Sequence, residues 1–242
     1  MINENELNKL SYEILSDDKT YDLTFKIILI GDSGVGKSSL IIRTSKSYFE
    51  ENYKATIGFE FFTFVCKIND KIIKLQIWDT CGQEVYRSLI VSFYRNSSLA
   101  IIVYSVDNID SFLHINNWLN DLRDKNNPNI KKFLIGNKND LENERKVSFE
   151  EGENFYKEMN FDYFTECSAK TGINVNEIFI RASKLLYIQQ TKYLNHNSFR
   201  YTLYSFSDSN DDIENNKISI IKSQIISKND EKEIKKKKFC CN

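Results

Sequence analysis

The stretch FKIILIGDSGVGKS, residues 25–38, decides how the rest of the chain is read. Residues 25–30 are apolar except for Lys26, long enough for one buried strand, and they run into Gly31, Ser33, Gly34 and Gly36. A helical pattern starts at once, with Leu40, Ile41 and Ile42 apolar and Arg43 and Lys46 polar. Strand, glycine-rich loop and helix in that order make a P-loop, GxxxxGK[ST]. The glycines keep side chains away, so that successive backbone N–H groups and the helix N-terminus converge on a polyphosphate. The candidate cradle is Gly31, Asp32, Ser33, Gly34, Val35, Gly36, Lys37, Ser38 and Ser39. Lys37 would reach the terminal phosphates, and the Ser38 hydroxyl would sit on Mg²⁺, a hard cation that takes oxygen ligands.

Around that motif, 242 residues suit one α/β domain with appendages. With 33 basic and 34 acidic residues the net charge is −1, and no basic stripe with interleaved aromatics occurs, so no nucleic-acid partner is expected. No run approaches the roughly 20 apolar residues of a spanning helix, and the polar start MINENELNKL does not read as a signal peptide. Cys66, Cys81 and Cys167 are scattered and suit small apolar fillers, while Cys240 and Cys241 stand together after four lysines. With His114 and His196 as the only histidines, no transition-metal cluster can be assembled.

In chain order, residues 1–24 read as an N-terminal extension, disordered unless Leu7, Leu10 and Ile14 form one face of a short helix. Residues 25–190 read as one domain and 191–242 as a flexible tail. After the P-loop helix come strands over 60–68 and 72–78, joined by a tight turn at Asn69 and Asp70. Asp79 follows the second strand, where an aspartate commonly anchors Mg²⁺ through water. Strand and helix then alternate: strand 99–104, helix 110–123, strand 133–136, a helix capped by Ser148 and Glu151, strand 161–165, and a last helix from Asn174 to about Gln190. The expected fold is α/β: a doubly wound six-stranded, mostly parallel sheet with one antiparallel strand, flanked by helices.

The tetrapeptide NKND, Asn137 to Asp140, directly follows the apolar run FLIG. A carboxylate at Asp140 accepts from both N1–H and N2–H of guanine, a donor pair that adenine lacks on that edge. An unpaired buried carboxylate is costly, so such a site rejects the wrong base strongly. Asn137 would brace neighbouring loops, Lys138 would lay its stem along the base, and amides at Ala169 and Lys170 would meet O6.

GDSGVGKS, the threonine of KATIG, WDTCGQE, NKND and ECSAK together resemble the small GTPases of the Ras superfamily, in order and approximate spacing, over about residues 24–190. TIGFEF, KLQIWDT, FYRNS and the double cysteine look like the Rab family within it. The resemblance implies the P-loop GTPase fold and a GTP-binding switch that hydrolyses GTP to GDP slowly and regulates vesicle-mediated membrane traffic. It makes Thr56 a switch ligand of Mg²⁺, Gly82 the amide on the γ-phosphate, Phe49 the ring stacked on guanine, and Ser168, Ala169 and Lys170 the base loop. Gln83 would orient the attacking water, with Lys37 as its catalytic partner. Implied partners are an exchange factor, an activating protein, a GDP-dissociation inhibitor and effectors. Cys240 and Cys241 would carry prenyl groups, and the polybasic run would favour an anionic leaflet, placing the protein on the cytosolic face of endomembranes or vesicles and cycling it with the cytosol. A four-residue prenylation box would need a cysteine at Phe239, and myristoylation a glycine at Ile2, so neither is expected.

Four positions depart from the family pattern: Cys81 before the switch glycine, Val85 after Glu84, Asn96 with Ser97 in place of a small pair, and Thr44 in place of an aromatic. Two other readings stay open. One is a scaffold that binds GTP but scarcely hydrolyses it, given Cys81 and Val85 beside Gln83. The other is a P-loop kinase or ATPase, against which NKND and ECSAK count. An aliphatic island at 218–226 reads either as inert or as a contact for a prenylation escort.

Overall fold

The computed structural model describes residues 4–17, 20–50, 56, 59–80, 94–125 and 130–207, with side chains described outside 124–125 and 195–207. Strand β2, Leu23–Ile30, lies at the centre and pairs in parallel with β4, Lys71–Thr80, and β5, Leu99–Ser105. Beyond β5 come β6, Lys131–Asn137, and β7, Tyr163–Glu166, both parallel. Strand β3, Phe59–Ile68, forms a hairpin with β4 through Asn69, whose φ of 53° is a left-handed turn that asparagine tolerates. All seven residues of β5 are buried, as expected for a parallel strand covered on both faces.

Alternate residues of the strands feed two cores. Ile27, Leu29, Ile101 and Val103 face helix α2, Lys37–Lys46, and the N-terminal part of the last helix, where Leu40, Ile41, Phe179 and Leu186 meet them. Ile28, Ile30, Ala100 and Ile102 face the other layer, which holds Ile115, Trp118, Leu119 and Leu122. Each fully buried isoleucine or leucine contributes about 2 kcal/mol of transfer free energy. The P-loop, Asp79, NKND and ECSAK lie at the carboxyl ends of the parallel strands β2, β4, β6 and β7, and Thr56 precedes the antiparallel β3, so these motifs gather at one edge of the sheet.

The structure corrects three expectations. The sheet has seven strands instead of six; with Tyr12–Leu15 as β1, the order is β1-β3-β4-β2-β5-β6-β7. The added strand β1, Tyr12–Leu15, pairs antiparallel with residues Val65 to Ile68 of β3, so β3 alone runs against the rest. Residues 4–17 are therefore built into the domain as a short helix and a strand, where an extension, disordered or forming a short helix, was expected. Helix α1, Glu4–Asn8, buries Leu7 in the core, Glu4 pairs with Arg181, and the Lys184 ammonium lies 4.9 Å from the Tyr12 ring. The open edge of β3 supplies the hydrogen bonds that hold so short and polar a strand.

Second, the helix expected over 110–123 is two, α3, Ile109–Leu113, and α4, Ile115–Lys125, parted at His114. Third, the last helix, α6, spans Val175–Ser207 and so does not stop near Gln190, because no glycine or proline interrupts it. Helix α5, Phe149–Glu158, starts at a complete Ser148–Glu151 capping box. The chain divides into units 1–191 and 192–242, and in the second the described residues are helical. Among the described residues no helix is long and apolar enough to cross a membrane.

Candidate functional site

The loop between β2 and α2 takes its shape from two glycines. Gly31 has φ +141°, and a Cβ there would lie 2.2 Å from the Val103 carbonyl oxygen. Gly36 has φ +91°, and a Cβ there would lie 2.3 Å from Asn137 Nδ2. The backbone thus packs against β5 and β6 more closely than any side chain allows. Lys37 is buried, and its Nζ donates to the Gly31 and Asp32 carbonyls, 2.8 Å each, holding the charge over the loop. The Asp32 side chain turns away from the loop: Trp118 Nε1 donates to it at 2.8 Å, and His114 Nδ1 lies 2.7 Å from its other oxygen.

Three oxygen-bearing side chains meet beside Lys37. Ser38 Oγ hydrogen-bonds to Asp79 Oδ2 and lies 2.7 Å from Thr56 Oγ1. Asp79 is fully buried at the end of β4, and burial, opposed by the Ser38 hydrogen bond and the Lys37 charge, pushes its carboxyl up to about 6. Its Oδ1 has no hydrogen-bond partner among the described residues. Thr80, next in sequence, donates to the Leu29 carbonyl at 2.7 Å and so locks the end of β4 onto β2.

The third wall comes from the ends of β6 and β7. Asn137 is buried and joins three segments: Nδ2 donates to the Val35 carbonyl at 2.8 Å, while Oδ1 accepts from the Ala169 amide at 3.1 Å and the Cys167 thiol at 3.6 Å. Ser168 Oγ donates to Asp140 Oδ1 at 2.5 Å and accepts from the Thr171 amide at 3.0 Å. A cavity of about 490 Å³ opens between these parts, lined by Ser33, Gly34, Gly36, Lys37, Ser38, Ser39, Phe49, Thr56, Asn137, Lys138, Asp140, Ala169 and Lys170. Phosphate-loop residues, Ser38 and Thr56 of the oxygen triad, and residues after β6 and β7 thus face one space.

A family model described as the Ras family matches residues 26–188. The chain belongs to the Ras family of small GTPases. It is 46% identical over 165 residues, 68% of this chain and 82% of the relative, to Ras-related protein RHN1 of Nicotiana plumbaginifolia. The seven-stranded sheet with its P-loop is accordingly a Ras-family GTPase fold carrying one extra strand. As a small GTPase the chain hydrolyses GTP, and binding of guanine nucleotide, Mg²⁺ and regulators follows for the family in general.

The residues fit that metal. Ser38, Thr56 and Asp79 offer only hard oxygens, and the partnerless Oδ1 of a buried carboxylate is the kind of atom that a divalent cation or its water satisfies. Gly31, Asp32, Val35, Asp79 and Ser168 are not on the cavity wall; they stand behind it and hold the residues that are. Ala169 lines the cavity, and its amide donates to Asn137 Oδ1. Gly82 and Gln83, with Cys81 and Val85, lie outside the described residues, as do Cys240, Cys241 and the island at 218–226.

Sequence reasoning missed residues that act through others. Arg145 forks Glu166 through Nη1 at 2.7 Å and Nη2 at 2.8 Å, and these hydrogen bonds raise its already high pKa further. This pins the start of the base loop. Glu50, Thr80 and Leu141 also line the cavity. Asn96, one of the departures from the family pattern, has φ 62°, which asparagine tolerates nearly as glycine does.

Proposed function

We propose that this GTPase is a Rab-like switch that regulates vesicle-mediated membrane traffic from the cytosolic face of endomembranes. The observation that carries the switch reading is the meeting of Ser38, Thr56 and Asp79. Thr56 is 18 positions beyond Ser38, outside helix α2. A ligand so placed holds its loop only while a phosphate-bound cation holds the ligand, which is how γ-phosphate binding is converted into loop position.

In this reading Lys37 and the P-loop amides bind the β- and γ-phosphates, and Phe49 stacks on the base. Asp140 accepts from N1–H and N2–H, with Lys138 along the base, and Gly82 donates to the γ-phosphate. Mg²⁺, when bound, neutralises charge at the phosphate oxygens. Gln83 aims the attacking water, so catalysis is positioning plus electrostatics. Unassisted hydrolysis should be slow, on the order of 10⁻⁴ to 10⁻³ s⁻¹ as for Ras. The output is the bound state, read by effectors and reset by exchange and activating proteins.

Gln83→Leu is expected to leave nucleotide affinity nearly unchanged and to slow stimulated hydrolysis by about tenfold or more, since leucine cannot orient water. Single-turnover hydrolysis with an activating protein measures it. Equal rates in variant and wild type would favour a scaffold that binds GTP without using it.

The family resemblance of the Cys240 and Cys241 pair, and the lysines before it, support two prenyl chains, which at about 0.8 kcal/mol per buried CH₂ hold a protein where one chain does not. Cys240→Ser with Cys241→Ser should leave GTP binding intact and move the protein into the soluble fraction. Either single change should give weaker attachment. Mass spectrometry of the terminal peptide checks it directly: an unmodified peptide from membrane-bound protein ends this part of the reading.

A further inference from the structure

We propose that Arg43 is the positioning residue for guanine recognition, setting two successive peptide planes of the loop after β7 and, through them, the Asp140 carboxylate. The proposal rests on the guanine reading above.

Arg43 stands in the last turn of α2, whose first turn carries Lys37 and Ser38. Its Nε donates to the Ala169 carbonyl at 2.7 Å, its Nη2 to the Lys170 carbonyl, and its Nη1 to the Ser47 carbonyl at 3.2 Å. Only the last bond serves its own helix end. The other two reach partners 126 and 127 positions away, and the rigid planar fork engages both together.

In a trans peptide the C=O and the following N–H point in opposite directions, and no cis peptide occurs among the described residues. With the Ala169 carbonyl held on the α2 side, the Lys170 amide is turned the opposite way. With the Lys170 carbonyl held as well, the Thr171 amide is turned likewise, and it donates to Ser168 Oγ at 3.0 Å. That donation occupies one lone pair of the Ser168 hydroxyl and aims its proton at Asp140 Oδ1, 2.5 Å away. Ser168 is completely buried, so water does not substitute for either partner. Arg43 thereby links the helix that opens on the phosphates to the carboxylate that reads the base edge.

Inosine lacks the 2-amino group that Asp140 accepts from, so the ratio of GDP to IDP affinity reports the alignment of that carboxylate. In the full chain, Arg43→Met keeps the stem and removes every donor. We expect GDP affinity to fall about tenfold and IDP affinity much less, so that the ratio drops about fivefold. Arg43→Lys, with a point charge in place of a fork, should fall between. If both nucleotides weaken equally, or neither changes, Arg43 only braces the helix and the proposal is overturned. Should Arg43→Met fail to fold, a wild-type ratio in Arg43→Lys overturns it equally. A wild-type protein that prefers GDP over neither IDP nor ADP would instead remove the guanine reading itself, and this proposal with it.

Discussion

Replacing Asp140 with asparagine is expected to lower affinity for GTP by about three orders of magnitude and to make XTP the preferred nucleotide. The carboxylate offers two acceptors, one of which already takes the Ser168 proton at 2.5 Å. An amide turned to face the base presents a donor to N1–H and N2–H, so two donors oppose one another at a partly buried position. Xanthine carries a carbonyl at C2, which accepts from that amide. Competition of a labelled nucleotide by GTP, XTP and ATP measures the change. Preference for GTP over XTP retained at the wild-type level would show that Asp140 is not the reader of the base edge.

The second large effect is expected at Gly36. In Gly36→Ala the new Cβ would lie 2.3 Å from Asn137 Nδ2, at a backbone φ of +91° that side chains rarely adopt. Asn137 cannot simply move aside: it is buried, and its amide is engaged by the Val35 carbonyl, the Ala169 amide and the Cys167 thiol. Backbone strain of about 1–3 kcal/mol adds to a lost buried hydrogen bond of about 1–3 kcal/mol. Affinity for GDP and GTP should therefore fall roughly a hundredfold or more, with phosphate loop and base loop disturbed together. Calorimetric titration of both nucleotides tests this. Gly34→Ala is the control, since a Cβ there meets no atom of the described residues within 4 Å, although its φ of +78° retains the strain. Equal losses in the two variants would mean that strain alone, and not the contact with Asn137, is responsible.

How much of this was legible beforehand follows from how local each signal is. The P-loop is contiguous, and its glycines are demanded by the backbone path within a few residues, so residues 25–38 could be read without knowing what lay around them. The alternation of Ile27 and Leu29 with Ile28 and Ile30 between two cores is likewise a property of one strand. The capping box at Ser148 and Glu151 is a four-residue pattern and was equally plain. Asp79 and Asp140 could be singled out because each follows an apolar strand, and in this fold strand ends define the functional edge.

The remaining features depend on partners far away in sequence. Nothing in Tyr12 to Leu15 marks a strand, since most of it is exposed; it is a strand because β3 had an edge left to pair. Leu7 reads only as one face of a short helix with Leu10 and Ile14, and the fold alone brings the main core over it. Arg43 reads as a solvated face of a helix, and only the return of the chain 126 positions later supplies the carbonyls it holds. Trp118 reads as core, yet its indole N–H is spent on Asp32. The sequence by itself determined the family, the phosphate loop and the order of the elements, because these rest on short-range stereochemistry and periodic burial. The tertiary structure alone decided the seventh strand and the bonds that aim Asn137, Ser168 and Asp140, because a hydrogen bond is directional and its partner is chosen in space.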